Sequence, residues 1–364
     1  MRVCAHVAGA ATLRKQVQNT IAAARTRTLD YEERLAPVRD WAAYDAGQTR
    51  QFPDVLDLIC AFIDAAKVIL PPPEAIRMVG RPRTDAYALA KVLLTQAFLE
   101  NSNRVAQGQT AALGPKLGIA HAFSYKTIER GYSNARVLQV LDEVFRLTNI
   151  PVQGLETTFS IDGSGMPTSV HDHYASARSK QALPDRAAGS WPQGTARRVY
   201  NVAVIGVKYK LLASWRATTH EHHRELAEFP AAFAAAHELH PGMEMILGDG
   251  LYAGRPQVKI AADAGVTPRF LPRRNTTLKR MGVDAWVTML VAMARDPQDW
   301  FRDYHMRSIS ETGFSVINDG KRIRKRLAQR RQTESYLKAI IYNIRRLTQL
   351  RYLVHLAPLP APAG

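Results

Sequence analysis

The sequence predicts an α/β protein in which an all-α N-terminal part precedes a mixed sheet flanked by helices. Up to residue 150, apolar residues recur at the spacing of amphipathic helices. From Pro151 the periodicity changes, and three consecutive β-type segments are followed by helix, strand, helix, strand and helix. This order of elements is typical of a mixed α/β layer arrangement.

Four regions follow from these changes along the chain. We expect residues 1–79 to be an N-terminal helical region and residues 80–150 to be a helical, helix-turn-helix-like region that binds DNA. We expect residues 151–355 to form the α/β domain and residues 356–364 a disordered tail.

The first region is predicted to end in a basic joint. Residues 54–70 form a predicted helix that follows a break at Gln51–Pro53 and stops at Pro71–Pro73, because proline supplies no backbone N–H. In the joint that follows, Arg81 and Arg83 flank a proline. They could enter the minor groove of A·T-rich DNA, or they could be solvated side chains of a linker.

The second region contains a candidate helix-turn-helix. Thr84 is expected to cap a helix that runs through Leu99, and a second helix covers Arg104–Leu117. After a turn, Ser124 is the predicted N-cap of a third helix. The first turns of that helix carry side chains that can reach base edges and phosphates, namely Tyr125, Lys126 and Arg130. A small helical bundle without a DNA-binding role would give the same pattern.

Five strands are predicted for the α/β domain. They cover Leu155–Ile161, Val199–Val207, Leu211–Thr219, Met243–Gly248 and Val266–Leu271. Helices are expected at Glu225–Leu239, at Pro256–Ala264, in stretches of residues 286–317 and at Tyr336–Leu353.

An excess of basic residues restricts the kinds of partner that the protein can have. The chain has 49 Lys and Arg against 32 Asp and Glu, a formal net charge of +17. Such an excess suits a polyanionic partner, nucleic acid first, and a membrane-surface protein is the alternative. The longest apolar stretches fall well short of the ~20 residues that a bilayer crossing requires. With only two cysteines and no signal-peptide pattern, we expect a cytoplasmic protein with no membrane partner.

The basic residues of the second half are concentrated in tracks. Residues 307–351 hold twelve Lys and Arg against three acidic residues, and residues 269–280 hold five basic residues and no acidic one. A run of charge is often plain solvated surface, but two runs beside one site favour DNA. The candidate phosphate contacts are Lys321, Arg322, Lys325, Arg273 and Arg274, with Arg178 and Lys180 as a further pair.

Three carboxylates form a candidate site. Asp162 and Asp249 are each predicted to end a strand and to precede a glycine, so both would project into the crevice at the carboxyl ends of the strands. Two such oxygen donors suit Mg²⁺, although most Asp-Gly pairs merely cap turns. Tyr304, Arg307 and Glu311 have the spacing of one helix face. That face could supply a third carboxylate and a phosphate-binding Arg for two-metal chemistry, or only a solvated ion pair.

Residues 151–352 resemble the catalytic domain of insertion-sequence DDE transposases, of the RNase H-like integrase superfamily. The matching motifs are Phe159-Ser-Ile-Asp162-Gly-Ser-Gly165, Gly248-Asp249-Gly-Leu-Tyr252, Tyr304-x-x-Arg307-x-x-x-Glu311 followed by Thr-Gly-Phe-Ser-Val, and Tyr342-Asn-Ile-Arg-Arg-Leu347. The three acids are 87 and 62 positions apart, which is usual in this superfamily. Asn318 departs from the pattern, because the family often has a Lys seven positions after the Glu.

The resemblance implies an RNase H-like catalytic domain with a five-stranded mixed sheet flanked by helices. Asp162, Asp249 and Glu311 would be the catalytic residues and would hold two Mg²⁺ or Mn²⁺ ions, while Tyr304 and Arg307 would contact the phosphate near the scissile bond. The implied function is a DNA transposase that binds terminal inverted repeats, hydrolyses a phosphodiester and transfers the strand to target DNA. It would act as a homodimer on double-stranded DNA in the nucleoid of a prokaryote. The alternatives are a catalytically inactive, domesticated DNA-binding protein and an RNase H-like nuclease.

Overall fold

Helices make up most of the N-terminal part of the protein. The computed structural model describes residues 2–32, 38, 40–72, 84–168, 198–218, 225–318 and 322–358, and for residues 2–10 it gives the backbone helix alone. The elements before the sheet are α1 (Arg2–Thr26), α2 (Trp41–Ile69), α3 (Ala86–Leu99), α4 (Asn103–Leu117), α5 (Tyr125–Gly131), α6 (Ala135–Asn149) and a 3₁₀ turn at Ile150–Val152.

Helix α2 is longer than the sequence predicts. It runs through Pro53 without interruption, so the predicted break at Gln51–Pro53 is wrong. The reason is a contact from the C-terminal end of the α/β domain. The ring of Tyr352 lies 3.3 Å from where a Cβ on Gly47 would be, and its hydroxyl donates to Asp54 Oδ2 at 2.7 Å. Tyr352 thus holds α2 on both sides of the proline and offsets the lost hydrogen bond.

The helix caps of the second region are partly as predicted. Ser124 caps α5, since its side chain accepts a hydrogen bond from the Thr127 N–H, as expected. The cap of α3 is Asp85 and not Thr84, because the Asp85 carboxylate accepts from the N–H of Tyr87 at 2.8 Å. A carboxylate is favoured there because it also complements the positive end of the helix dipole.

The α/β region contains a five-stranded mixed sheet, as the sequence predicts. Its strands are β1 (Thr158–Pro167), β2 (Arg198–Gly206), β3 (Leu212–Thr218), β4 (Met245–Gly248) and β5 (Thr267–Phe270), in the order β3-β2-β1-β4-β5. The β1–β2 and β2–β3 pairs are antiparallel, whereas β1–β4 and β4–β5 are parallel. The short strand β4 therefore ends beside the middle of β1.

Helices flank this sheet on both sides. They are α7 (Glu225–Leu239), α8 (Arg255–Asp263), α9 (Asp284–Arg295), α10 (Pro297–His305), a 3₁₀ turn at Met306–Ser308, α11 (Ile309–Asn318) and α12 (Ala328–Leu353). The predicted bounds of α7 are confirmed, and α12 begins earlier than the predicted Tyr336.

Two apolar clusters cover the two faces of the sheet. One joins Phe159 of β1 to α7–α10 and also includes Val17 and Ile21 of α1. The other joins Ile205 of β2 to α2, α3, α6 and α12. Helix α1 therefore packs on the α/β region, whereas α2 packs against α12. No helix in the described ranges is both long and apolar enough to cross a membrane.

Candidate active site at the end of strand β4

Asp162 and Asp249 occupy neighbouring positions on two parallel strands. Ile161 of β1 pairs with Gly248 of β4. The residues that follow this pair in the sequence are Asp162 and Asp249, so two carboxylates lie at neighbouring positions. Asp249 follows the last residue of β4, as predicted. Asp162 does not end its strand, which corrects the sequence prediction. Strand β1 continues to Pro167 because it keeps pairing with the antiparallel β2 after β4 has ended.

Asp162 is half-buried and held by two hydrogen bonds. Its Oδ1 accepts from the Gly163 N–H at 2.9 Å, and its Oδ2 lies 3.1 Å from the Ser310 hydroxyl. Burial raises the pKa of Asp162 above its ordinary value, and the negative charge of Asp249 adds to this. The two hydrogen bonds and the charge of Arg307 act in the opposite direction. The two carboxylates are thus close enough to repel each other.

Asp249 opens the loop after β4. Its Oδ1 accepts from the Leu251 N–H at 2.7 Å, so the carboxylate shapes the turn that it starts. The preceding Gly248 is needed for packing, because a Cβ there would lie 3.0 Å from the ring of Phe270 and 3.1 Å from that of Tyr252. The loop is therefore fixed from both sides of Asp249.

A third carboxylate, Glu225 at the start of α7, lies beside this pair. A Cβ on Gly163 would be only 2.6 Å from Glu225 Oε2, so the glycine next to Asp162 makes room for the glutamate. The buried Tyr252 donates its hydroxyl to Glu225 Oε1. Burial raises the pKa of Glu225, the Tyr252 hydrogen bond opposes this, and the charges of Asp162 and Asp249 add to it.

The sequence alone assigns no role to Glu225 or Tyr252. The available signals were an acid at the first residue of a predicted helix and a tyrosine within the motif around Asp249. Neither signal reveals that the two side chains meet 27 positions apart. Tyr252 itself is buried, and burial followed by the charge of Glu225 raises the pKa of its hydroxyl.

Tyr304 and Arg307 also reach the site, although not on one continuous α-helix. Helix α10 ends at His305, and the 3₁₀ turn separates it from α11, which corrects the prediction of a shared helix. The guanidinium of Arg307 lies over the Tyr304 ring, 5.7 Å from its centroid. Burial raises the pKa of Tyr304, while the charge of Arg307 opposes this rise.

Two serines fasten this turn to the sheet. The hydroxyl of Ser160 on β1 donates to the carbonyl oxygen of Arg307 at 3.1 Å. The Ser310 hydroxyl lies 2.9 Å from the same carbonyl oxygen as well as close to Asp162. Although partial burial acts against its charged form, Tyr304, Glu311 and Asp162 keep the pKa of Arg307 above its ordinary value. Arg307 is therefore a charged group held beside Asp162.

Glu311 contacts Arg307 and not the two aspartates themselves. Its side chain is 62% exposed, and its Oε1 is 3.3 Å from Arg307 Nη2. The structure thus brings Glu311 to Arg307, which in turn faces Asp162. It places Glu225, not Glu311, against the backbone next to Asp162.

The donor set suits a divalent cation at Asp162 and Asp249. Both are hard oxygen donors on adjacent strands, half-buried, and their mutual repulsion would be relieved by a positive ion. Within the described residues, however, no three His, Cys, Asp or Glu side chains are grouped so as to hold a metal ion. The residues present fit a cation held by two carboxylates, with water and substrate phosphate as its other ligands.

Apart from Tyr304 and Arg307, the predicted DNA contacts fall into three groups. Five lie outside the described residues, namely Arg81, Arg83, Arg178, Lys180 and Lys321. Five are exposed, namely Arg274, Arg322, Tyr125, Lys126 and Arg130. The last three line an open hollow of about 570 Å³ together with Arg104 and Arg330. A basic hollow at the start of α5 is compatible with the predicted DNA-reading role.

Lys325 and Arg273 form the third group, since both side chains form hydrogen bonds within the protein, although Arg273 is also exposed. The Lys325 side chain is 8% exposed, its Nζ lies 2.7 Å from Glu129 Oε2, and it sits 3.8 Å from the centroid of the Tyr132 ring. Lys325 therefore joins α5 to the segment before α12 and presents no free charge to DNA. Arg273 donates to the carbonyl oxygens of Gly250 and Leu251 beside Asp249.

Asn318, the departure from the resemblance, is also engaged with β1. Its Nδ2 donates to the Ser164 hydroxyl oxygen at 2.9 Å, and its Oδ1 is buried without a partner among the described residues. The residue at this position thus contacts the strand that carries Asp162 and is turned away from solvent.

The chain is similar in sequence to a protein of Archaeoglobus fulgidus described as a probable transposase for an insertion sequence element. The two are 26% identical over 271 residues, which make up 74% of this chain and 77% of the relative. No protein-family model matches the chain. The similarity supports the resemblance to insertion-sequence transposases that the motifs indicate.

Proposed function

We propose that this protein is the DNA transposase of an insertion sequence and that its α/β region is an RNase H-like DDE catalytic domain. The observation that carries the proposal is the adjacency of Asp162 and Asp249 on parallel strands, with Arg307 and Tyr304 beside them. The observed sheet has the mixed, five-stranded character that the resemblance implies. The similarity to a probable transposase and the net charge of +17 support the same conclusion.

Arg307 is the residue best placed to bind the phosphate next to the scissile bond. Its guanidinium can donate two parallel hydrogen bonds to a phosphate, and this fork gives geometric as well as electrostatic specificity. The serines at positions 160 and 310 hold the backbone carbonyl of Arg307, and its guanidinium lies over the Tyr304 ring. Hydrolysis of a phosphodiester and strand transfer need positioning and charge neutralisation, and no covalent bond to the protein.

Asp162 and Asp249 would hold the catalytic cation, Mg²⁺ or Mn²⁺, and by the resemblance Glu311 would complete a site for two ions. When bound, the cation supplies the positive charge that activates the attacking oxygen and stabilises the leaving one. Glu311 is exposed and paired with Arg307, so a phosphate that draws Arg307 away would free the Glu311 carboxylate.

The N-terminal helices would bind the ends of the element. The exposed Tyr125, Lys126 and Arg130 start a capped helix, which is where helix-turn-helix proteins contact bases. Bringing two ends together requires two protomers, so we propose a homodimer on double-stranded DNA. A DNA substrate of this kind places the protein in the nucleoid, within the cytoplasm of a prokaryote.

A nicking assay tests the proposal. The substrate is a labelled duplex that carries one end of the element, taken from the DNA that flanks the coding region, and the assay is run with and without Mg²⁺. We expect Mg²⁺-dependent cleavage at the end sequence, abolished by Asp162→Asn, Asp249→Asn or Glu311→Gln while gel-shift binding persists. Cleavage at the normal rate in one of these variants removes that residue from the site.

The same assay decides between the proposal and a DNA-binding protein that no longer cuts. That alternative is favoured by one observation, the Asn318 side chain that bonds to Ser164 at the position where the resembled family often has a Lys. Binding to the end sequence without cleavage at any Mg²⁺ or Mn²⁺ concentration would establish it. Cleavage without preference for the end sequence would instead indicate a nuclease.

A further inference from the structure

The N-terminal helix α1 places an arginine at the rim of the candidate active site. Val17 and Ile21 are 2% and 1% exposed and belong to the apolar cluster that contains Phe159 of β1. This face of α1 is therefore buried against the α/β region. Gln16 and Gln18 fasten the same helix by donating to the carbonyl oxygens of Ala294 and Thr276. Arg25 is one turn beyond Ile21, where the helix leaves the core beside the loop that follows Asp249.

Arg25 contacts this loop closely. Its Nη2 donates to the carbonyl oxygen of Pro272 at 2.8 Å, and its Nε donates to the same oxygen at 3.3 Å. A Cβ on Gly250 would lie 2.8 Å from Arg25 Nη2, so the guanidinium rests against a residue that has no side chain. The charge of Arg25 also acts on the Tyr304 hydroxyl. Arg25 therefore belongs to the surroundings of Asp249, although 224 positions separate the two residues.

A second arginine approaches the same backbone. Arg273 Nε donates to the carbonyl oxygen of Gly250 at 3.1 Å, and its Nη2 donates to that of Leu251 at 3.3 Å. In the part of the chain that the structure describes, neither Arg25 nor Arg273 forms an ion pair with a carboxylate. Two guanidinium groups thus contact the same residue, Gly250, and each is held by backbone carbonyl oxygens and not by a carboxylate of the described residues.

We propose that Arg25 and Arg273 together bind one phosphate of the DNA strand that enters the active site, so that α1 is a component of that site. Carbonyl oxygens use only part of each guanidinium fork, and the remaining N–H groups can donate to an anion. A phosphate would also supply the negative charge that neither guanidinium receives from a carboxylate of the described residues. The inference rests on the proposed function, because it takes DNA as the substrate.

The test measures binding of the full-length chain to a fluorescent duplex that carries one element end. Dissociation constants are determined for the wild type, Arg25→Gln, Arg273→Gln and the double variant over a range of salt concentrations. The matched control is Lys15→Gln, which removes one positive charge from an exposed position earlier on α1. Circular dichroism and thermal unfolding check that each variant is folded.

If the inference is correct, Arg25→Gln weakens binding about three- to tenfold and reduces the slope of log K against log salt by about 1, the effect of one lost phosphate contact. Arg273→Gln gives a similar change, and the double variant loses less than the sum of the two. Lys15→Gln binds like the wild type. Arg25→Lys keeps the salt slope because it keeps the charge.

Duplexes with a single neutral methylphosphonate linkage identify the phosphate. We expect one linkage whose neutralisation weakens the wild type but has no further effect on Arg25→Gln or on Arg273→Gln. The inference is overturned if Arg25→Gln behaves like Lys15→Gln, or if the two arginines are sensitive to different linkages, even though the wild type binds and cuts. A wild type that binds no duplex overturns the proposed function and this inference together.

Discussion

The backbone of Gly163 lies directly against the carboxylate of Glu225, 62 positions later in the chain. This contact brings a third acid to the two aspartates of the site and makes residue 163 a sensitive position. It also explains why a glycine stands inside a strand, where glycine is normally unfavourable.

Gly163→Ala should therefore impair cleavage. The added Cβ would lie 2.6 Å from Glu225 Oε2, so the Glu225 side chain must leave its hydrogen bond with Tyr252. We expect the rate of nicking to fall by at least about tenfold, a loss typical of misplaced catalytic geometry, while DNA binding persists.

Gly165→Ala is the matched control on the same strand and the same face. Its Cβ would lie 3.3 Å from Arg198 Cδ and 3.5 Å from the Tyr200 ring, contacts that small shifts can relieve. The role of Glu225 is contradicted if the two variants cut DNA at equal rates.

Asn343→Ala should destabilise the fold. Asn343 lies within the motif at Tyr342–Leu347, and its side chain pairs with both backbone groups of Leu212 on the edge strand β3, at 2.8 Å and 2.9 Å. Because the Leu212 N–H would lose its acceptor in a buried position, we expect a decrease in the free energy of unfolding of about 2–4 kcal/mol. Urea denaturation measures this difference.

Gln329→Ala serves as the control for Asn343→Ala. Gln329 is exposed on the same helix, so its truncation should change the free energy of unfolding by no more than about 0.5 kcal/mol. Equal effects of the two substitutions would mean that Asn343 does not secure β3.

Glu129→Gln should lower stability at neutral pH but not in acid. Partial burial opposes ionisation of Glu129, but hydrogen bonds from Lys325, Arg330 and Asn103 outweigh it and hold the pKa of Glu129 below 4.5. A depressed pKa contributes stability above the unfolded value and loses it as the pH falls through the folded value. We expect a cost of about 1 kcal/mol at pH 7, allowing for solvent screening.

The measurement for Glu129 is the difference in free energy of unfolding between wild type and variant as a function of pH. This difference should have its full value at pH 7 and decrease towards zero as the pH falls below 4.5. A difference that stays constant into acid would show that the carboxylate charge is not what joins α5 to α12.

His240 should make the protein less stable in mild acid. Burial lowers the pKa of His240 from 6.5 to about 4, and its Nε2 lies 3.0 Å from Asn149 Oδ1. Because the unfolded chain binds the proton more readily, stability falls as the pH drops from 6.5 towards 4, by about 3 kcal/mol for this group.

Replacing His240 by Gln keeps a donor for Asn149 and removes the titration. The free energy of unfolding of His240→Gln should therefore depend less on pH than that of the wild type between pH 7 and pH 4.5. His237→Gln, at a partly buried position on the preceding turn, should retain the wild-type dependence. A wild-type slope in His240→Gln would assign the acid sensitivity to another group.

The elements were predictable because their signals are local. Periodicity located five strands and the bounds of α7, and Ser124 was recognised as a cap because its partner is three residues away. The errors arose where distant contacts override local signals. Pro53 does not break α2 because Tyr352 holds the helix, and Gly163 does not end β1 because β2 continues to pair with it.

The candidate site was predictable only in part for the same reason. Asp162 and Asp249 could be paired from sequence, because acids that follow parallel strands meet at one edge of the sheet. Glu225 and Arg25 could not, since their approach depends on how α7 and α1 pack on the sheet. The sequence also does not show that Lys325 is paired within the protein, because its partner Glu129 lies 196 positions earlier.

The sequence by itself determined the order of the elements, the two aspartates and the surplus of positive charge, because each is written in neighbouring residues or in composition. Only the tertiary structure decided which charged groups share a site with those aspartates and which are used to join helices. Charges interact through space over a few ångströms, and packing alone sets those distances between residues far apart in the chain.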